Sequence, residues 1–259
     1  MIFIIGGRGF IGSAIARKCS MSNLECQIIS RDNYQGFVGK VCDILVNANG
    51  NARKYIAQQD ALFDFDASVR SVRASLVDFQ YRLYVLVSSA DVYPDPSSPQ
   101  ATLEAQAIRV CDQNSYGFHK HLAEQCVQHV AANWLILRLG GLVGPGLKKN
   151  PIHDIVSGAP LRVDPRSEMQ FMSTDQTAAI AIDLIDRGFV NEVFNVSSSG
   201  AVKLLEAMDL VGYKGFLEPE SPRVRYELNV EKLSELVELP STRQTVFDFV
   251  EHERKRSRQ

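Results

Sequence analysis

The sequence is short of the features that mark a special environment. No apolar stretch approaches the roughly 20 residues that a bilayer-spanning helix needs, and no charged-then-apolar leader stands before the first strand. The expectation is a cytoplasmic, soluble chain that engages no membrane. The five cysteines, Cys19, Cys26, Cys42, Cys111 and Cys126, form no C-x-x-C pair and leave an odd one over, which argues for a reducing compartment and against a disulfide framework. The five histidines are scattered without ligand spacing, so no metal site is expected. A net charge of −2 supplies no attraction for nucleic acid. The one basic run, 253–259, reads as a frayed, solvated tail. There is no internal repeat and no low-complexity stretch.

What is present begins at the first residues. Ile2 to Ile5 is a bare apolar strand that runs straight into glycines. Gly7, Gly9 and Gly12 fit G-x-G-x-x-G, while Gly6, Gly9 and Gly12 fit G-x-x-G-x-x-G. Either frame makes the same demand: one glycine for a tight turn, one for backbone approach to a pyrophosphate, one for close helix–strand packing. The helix that opens with Phe10 and Ile11 then points its positive end at the phosphates, with Arg8 in the loop. About 20 residues further on, where a dinucleotide's ribose is read, a second short strand ends in Ser30 and Arg31. Two guanidinium groups suit a 2′-phosphate, so NADP(H) is preferred and NAD(H) remains possible, with Asp32 the residue that favours the latter.

The remaining chain alternates strands and helices. Val41 to Asn49 is a strand whose small polar end, Asn47 and Ala48, is expected along the cofactor. Residues 65–79 carry apolar side chains at helical spacing, 82–90 form a buried strand ending at Ser88 and Ser89, 114–130 a long helix and 134–139 a further strand. Past Gly146 come a short helix at 152–156, a helix from about Thr174 to Arg187, a strand at 193–196 and helices at 202–211 and 230–237. This order predicts an α/β fold: a Rossmann-type doubly wound parallel sheet with a small C-terminal substrate-binding cap. Residues 1–146 make the cofactor domain, 168–198 return to it, and 147–167 with 199–259 make the smaller lobe.

Tyr116 and Lys120 stand four residues apart at the start of the long helix, on one face. A phenol with an ordinary pKa of about 10 becomes a useful acid or base near neutrality if a neighbouring ammonium stabilises the phenolate. The spacing therefore predicts a downward shift at Tyr116, aided by an oxidised nicotinamide. Ser89, at its strand end, is placed to hydrogen-bond the same substrate oxygen.

With these residues in order, the chain resembles an extended short-chain dehydrogenase/reductase of the NAD(P)-dependent epimerase/dehydratase group, which acts largely on nucleotide sugars. The resemblance rests on 6–12, 43–48, Ser88-Ser-Ala-Asp-Val-Tyr93, Tyr116 to Lys120, 137–146, 171–175 and 193–196. It implies that Tyr116 is the acid/base, that Lys120 tunes it and binds the nicotinamide ribose, and that Ser89 polarises the substrate. Where the group's sugar dehydratases carry two acidic residues, this chain has Ala90 and Asp91, so dehydration is disfavoured and Asp91 is left facing substrate. Asn150 and Arg225 occupy places that contact a substrate diphosphate in such enzymes, and a homodimer through 65–79 and 114–130 is implied as well. The reading is an NADP-dependent reductase of a keto group on a nucleotide-linked sugar. An epimerase with retained cofactor and a non-catalytic NADP-binding sensor are the alternatives.

Overall fold

A computed structural model describes residues 1–256, and the chain divides into two compact units: 1–94, 104–139 and 177–194 in one, 95–103, 140–176 and 195 onward in the other. Among the described residues no helix is long and apolar enough to cross a membrane.

The first unit opens with β1 (Ile2–Ile5), α1 (Phe10–Met21), β2 (Cys26–Ile29), β3 (Val41–Asn47), α2 (Lys54–Gln59), α3 (Ala61–Phe65), α4 (Ser71–Asp78) and β4 (Gln80–Ser89). It continues with α5 (Ser115–Val130) and β5 (Trp134–Leu139). β6 (Gly141–Val143), α6 (Pro151–Ser157), β7 (Glu168–Met169) and β8 (Phe171–Ser173) belong to the second unit, and α7 (Thr174–Asp186) and β9 (Glu192–Val196) lead back through the first. The rest of the second unit is β10 (Val202–Lys203), α8 (Leu204–Val211), β11 (Arg225–Tyr226), α9 (Glu231–Ser234) and α10 (Thr242–Arg256).

Six strands form the central sheet in the order β2-β1-β3-β4-β5-β9. β2 through β5 pair parallel, with Ile4 between Ile28 and Val46. All four residues of β1 are buried, which is why that strand carries no polar alternation. One face of the sheet buries Phe3, Ile5, Leu45, Tyr84, Leu86 and Ile136 against Val72, Leu76, Ala123 and Val127 of α4 and α5. The strand order reverses between β1 and β3, and a sheet of this kind binds its ligand at the carboxyl ends of the strands at that switch. Gly6 and Ala48 follow directly at those ends.

The helix expected over 65–79 starts earlier and is not uniform. Asp60 caps α3 by accepting from the Phe63 N–H at 2.9 Å. A π-helical turn, Asp66–Arg70, separates α3 from α4, and Phe79 is already extended. The long helix is as expected, with Asn114 as its N-cap accepting from the Gly117 N–H at 2.9 Å.

The second unit has its own core of Val143, Ile152, Ile155, Leu161, Phe171, Val202, Leu204, Ala207, Val246 and Val250. β6 pairs with β8, and β7 lies between β10 and β11. Residues 168–176, assigned from the sequence to the cofactor domain, sit in this unit because β7 and β8 pair within it. The basic run is not a frayed tail as far as Arg256: it ends α10, with the Arg254 Nη1 donating to the Leu210 carbonyl at 2.7 Å and Arg256 paired to Glu253 at 2.8 Å. Residues 257–259 of that run lie outside the described residues.

Buried polar groups in the first unit come in satisfied sets. Arg138, in the middle of β5, forks onto Glu124 of α5 at 2.7 Å and 3.1 Å and donates to the Tyr93 hydroxyl at 2.8 Å. Ser88 donates to the same carboxylate at 2.5 Å. Removing one member of a buried pair strands the other charge. Arg138→Met is therefore expected to lower stability by about 3–5 kcal/mol, seen as a lower denaturant midpoint. The double variant Arg138→Met with Glu124→Gln should recover part of that loss.

Candidate active site

The glycine turn resolves which of the two glycine frames matters. Gly6 has φ 76°, and a Cβ there would stand 2.9 Å from the Ala48 carbonyl. A Cβ on Gly12 would meet the Gly6 carbonyl oxygen at 2.3 Å, and the Gly9 N–H donates to that same oxygen at 2.8 Å. Gly6, Gly9 and Gly12 thus hold the turn, while Gly7 makes room for Ile28. Gly9 caps α1 without a side chain, and the first turn, which begins with Phe10 and Ile11, carries no acidic residue. A helix start of this kind, with the adjacent backbone brought close, fits the pyrophosphate of a dinucleotide.

At the end of β2 the Ser30 N–H donates to Asn33 Oδ1 at 2.7 Å, closing a short loop. Arg31 is exposed, and Arg8 lies 3.6 Å from Asp32 with both side chains largely in solvent. An exposed pair of this kind contributes at most about 1 kcal/mol, so it does not hold Arg8 against a competing phosphate.

The expectation for Asn47 is corrected. Its side chain is turned into the core, donating to Ser75 Oγ at 3.1 Å and to the Tyr84 hydroxyl at 2.8 Å, while its Oδ1 accepts from the Asn49 N–H at 2.9 Å. A buried amide with this many partners is committed to the sheet, and Ala48 and its backbone are what the strand end presents.

Beyond β4 the chain makes a tight turn in which Ser89 Oγ accepts from the Asp91 N–H at 3.2 Å and donates to Asp91 Oδ2 at 3.0 Å. The other carboxylate oxygen of Asp91 meets the Lys54 ammonium at 2.5 Å. Helix α5 brings Tyr116 to this turn, and its hydroxyl hydrogen-bonds Ser89. Gly117 makes the approach possible: a Cβ there would lie 2.0 Å from the Asp91 carbonyl oxygen.

Tyr116 and Lys120 are both buried, with the ammonium 5.8 Å from the Tyr116 ring centroid. Burial pushes the Tyr116 hydroxyl up from its ordinary value, the Asp91 charge adds to this, and the Ser89 hydrogen bond opposes it. The downward shift expected from the Tyr-x-x-x-Lys spacing is thus not supplied by the chain's own groups, because burial and the nearby carboxylates raise the hydroxyl and the Ser89 hydrogen bond only partly opposes them. Burial lowers Lys120 from its ordinary value, and Asp64, Glu124 and Asp91, in that order, oppose the shift. Gly50 leaves the space: a Cβ there would stand 2.8 Å from Lys120 Nζ.

The sequence reading missed Lys54, Asp64, His119, Glu124 and Arg138. Two signals were available. Asp64 stands between Phe63 and Phe65, and Arg138 stands inside the apolar strand Trp134–Leu139. Lys54 had none. Asn150 and Arg225 lie in the second unit and are engaged there. Asn150, at φ 124°, caps α6 through the His153 N–H at 2.9 Å and donates to the Leu142 carbonyl at 2.8 Å. Arg225 is half exposed and pairs with Glu168 at 3.2 Å and Glu227 at 2.5 Å.

Residues 77–197 match the model of the NAD dependent epimerase/dehydratase family. The stretch includes Ser89, Tyr116 and Lys120, and the matching family is the one that the sequence resembles. Among curated proteins none matches. Solved structures match along the whole length at low identity. MoeE5 in complex with UDP-glucose and NAD is 14% identical with a TM-score of 0.82, covering 100% of this chain and 99% of that one. A UDP-galactose 4-epimerase is 18% identical with a TM-score of 0.77, covering 98% and 99%. The dTDP-4-dehydrorhamnose reductase of Bacillus anthracis, in complex with NADP, is 15% identical with a TM-score of 0.77, covering 97% of each chain. The shared fold is the Rossmann-type, mostly parallel sheet expected from the sequence.

The contact at Gly117 generates a test. Gly117→Ala is expected to push α5 away from the turn at Asp91, lowering stability by about 1–3 kcal/mol as overpacking does. Turnover should fall at temperatures where the variant remains folded, because Tyr116 moves with the helix. Unchanged melting and unchanged turnover together would contradict the close approach.

Proposed function

We propose that the chain is an NADP-dependent reductase of a keto group on a nucleotide-linked sugar. The observation that carries this reading is the state of Tyr116: a buried hydroxyl, bonded to Ser89 and held protonated by burial and by Asp91. A group in that state holds the proton that reduction of a carbonyl needs, and it becomes an effective donor once the Lys120 ammonium and the bound cofactor stabilise the phenolate. Tyr116 gives its proton to the carbonyl oxygen, Ser89 donates a hydrogen bond to the same oxygen by turning its hydroxyl from Asp91 Oδ2, and the Lys120 ammonium stabilises the phenolate left behind. A reduced nicotinamide, when bound, supplies the hydride. Its pyrophosphate is assigned to the turn at Gly6, Gly9 and Gly12 and the start of α1, and its 2′-phosphate to Arg8, Ser30 and Arg31. NAD(H) is the second choice of cofactor.

The similar structures support a nucleotide-sugar substrate through what they hold, and the NADP-bound dehydrorhamnose reductase supports the direction. Asp91 is assigned to the substrate end of the site, while Asn150 and Arg225 keep a substrate role only by giving up the partners described above. The similarity to a UDP-galactose 4-epimerase favours a second reading, an epimerase that retains its cofactor. The five thiols are free, in keeping with a cytoplasmic location. The exposed Leu62, Phe63, Phe65 and Val77 on α3 and α4 support a homodimer through those helices and α5. Sedimentation of the purified protein at micromolar concentration should show the dimer, and a monomer there removes that assignment.

Purified protein offered NADPH and a panel of nucleotide-linked 4-keto sugars should oxidise the cofactor stoichiometrically with one of them. Cofactor that cannot be exchanged, together with an inverted sugar product, would establish the epimerase instead. Tight binding without any reaction would point to a sensor. Tyr116→Phe should lower turnover by about 10²–10⁴-fold with cofactor affinity nearly intact. Since reduction needs the protonated hydroxyl and its pKa is raised, the rate should hold through neutral pH and fall only on the alkaline side, as Lys120 and Tyr116 lose their protons.

A further inference from the structure

One buried cluster in the first unit has no part in the reaction as described. Asp64, the next-to-last residue of α3, is fully buried. Its Oδ1 accepts from Asn51 Nδ2 at 2.8 Å and, more loosely, from Ser68 Oγ at 3.5 Å. Its Oδ2 lies 2.6 Å from His119 Nδ1. A carboxylate only accepts, so Nδ1 carries the proton of this bond. Both donors are themselves held. Asn51 Nδ2 also reaches the Arg53 carbonyl at 2.9 Å and its Oδ1 accepts from the Arg53 N–H at 2.8 Å, while the His119 ring packs edge-on to Phe65 at 5.7 Å.

His119 immediately precedes Lys120 on α5, and the Ser68 hydroxyl borders the space beside Gly50 that Lys120 Nζ enters. The groups whose charge reaches Lys120 are Asp64 from α3, Glu124 from its own helix and Asp91 from the turn after β4. Tyr116 is the other titratable group in contact with it. Glu124 is engaged by Arg138, and Asp91 by Lys54. Asp64, among the described residues, has no lysine or arginine of its own.

We propose that Asp64 is a positioning residue of this site: held by Asn51 and His119, its carboxylate is the countercharge that keeps the Lys120 ammonium in place behind Tyr116. The inference rests on the reading of Tyr116 and Lys120 as the acid–base pair, and it deepens that reading by naming what sustains the ammonium. A purely structural role, tying α3 to α5, would affect melting without moving a titration.

The test is Asp64→Asn, which keeps the shape and removes the charge. Heteronuclear NMR of the full chain, labelled at its lysine side-chain nitrogens, follows Lys120, assigned by the signal lost in Lys120→Met. In Asp64→Asn the ammonium should titrate at a pH lower by about one unit or more, the size of shift a close charge produces. The alkaline limb of turnover should move down with it. If Asp64→Asn does not fold, Asp64→Ser, equally uncharged and smaller, is read in its place, and a shift in the same direction is expected. An unmoved Lys120 titration in the variant that folds overturns the proposal. Because the titration reads Lys120 directly, a wild-type protein that reduces no keto sugar would defeat the reductase reading and leave this result standing.

Discussion

The structure around the candidate site depends on keeping an ammonium out of water. Lys120 is buried, and moving a single ion into a protein interior costs several kcal/mol unless other charges and hydrogen bonds offset it. Three carboxylates are arranged for this, Asp64, Asp91 and Glu124, each arriving from a different element or helical turn. Two of them are shared with other cations, Asp91 with Lys54 and Glu124 with Arg138. The result is a set of alternating charges in which the buried Lys120 and Arg138 and the exposed Lys54 balance Asp64, Asp91 and Glu124. The polar residues of β4 and the turn after it, Ser88, Ser89 and Tyr93, are bonded into this set.

Such a network works only at short range, and glycines supply the range. Gly117 lets the first turn of α5 lie against the Asp91 carbonyl, Gly50 leaves room for Lys120 Nζ, and Gly12 lets α1 approach the carbonyl of Gly6. A methyl at any of these positions would overlap backbone or the ammonium. Packing this tight is ordinary for a protein interior, but here it also places titratable groups. The proton on Tyr116 follows from the same cause. Burial raises its hydroxyl, the Asp91 carboxylate raises it further, and the Ser89 hydrogen bond only moderates the effect.

Parts of this were legible without coordinates. The strand at Ile2–Ile5 and the strand at Trp134–Leu139 were placed to the residue, because apolar runs of that length, the second interrupted only by Arg138, have few other solutions. The long helix was placed at 114–130, and it runs from Ser115 to Val130. The π-turn at Asp66–Arg70 was not, since the local pattern reads as one helix either way. Helix α10 was missed because its apolar positions, Val246, Phe247, Phe249 and Val250, are crowded into one turn among charged residues. Asn47 was placed along the cofactor for being small and polar at a strand end, whereas its partners Ser75 and Tyr84 come from other elements.

The sequence by itself determined the alternation of strands and helices, the glycine turn after β1, and the positions of Ser89, Tyr116 and Lys120. Each of these is a local pattern, set by residues within one or two turns or by a strand's period of two. Tertiary structure alone decided that Asp64 and His119 meet across 55 positions of chain, that Lys54 reaches Asp91, that Arg138 is neutralised by Glu124, and that Tyr116 keeps its proton. Burial and the field of a charge act through space, and the distances that set them exist only once the chain has folded.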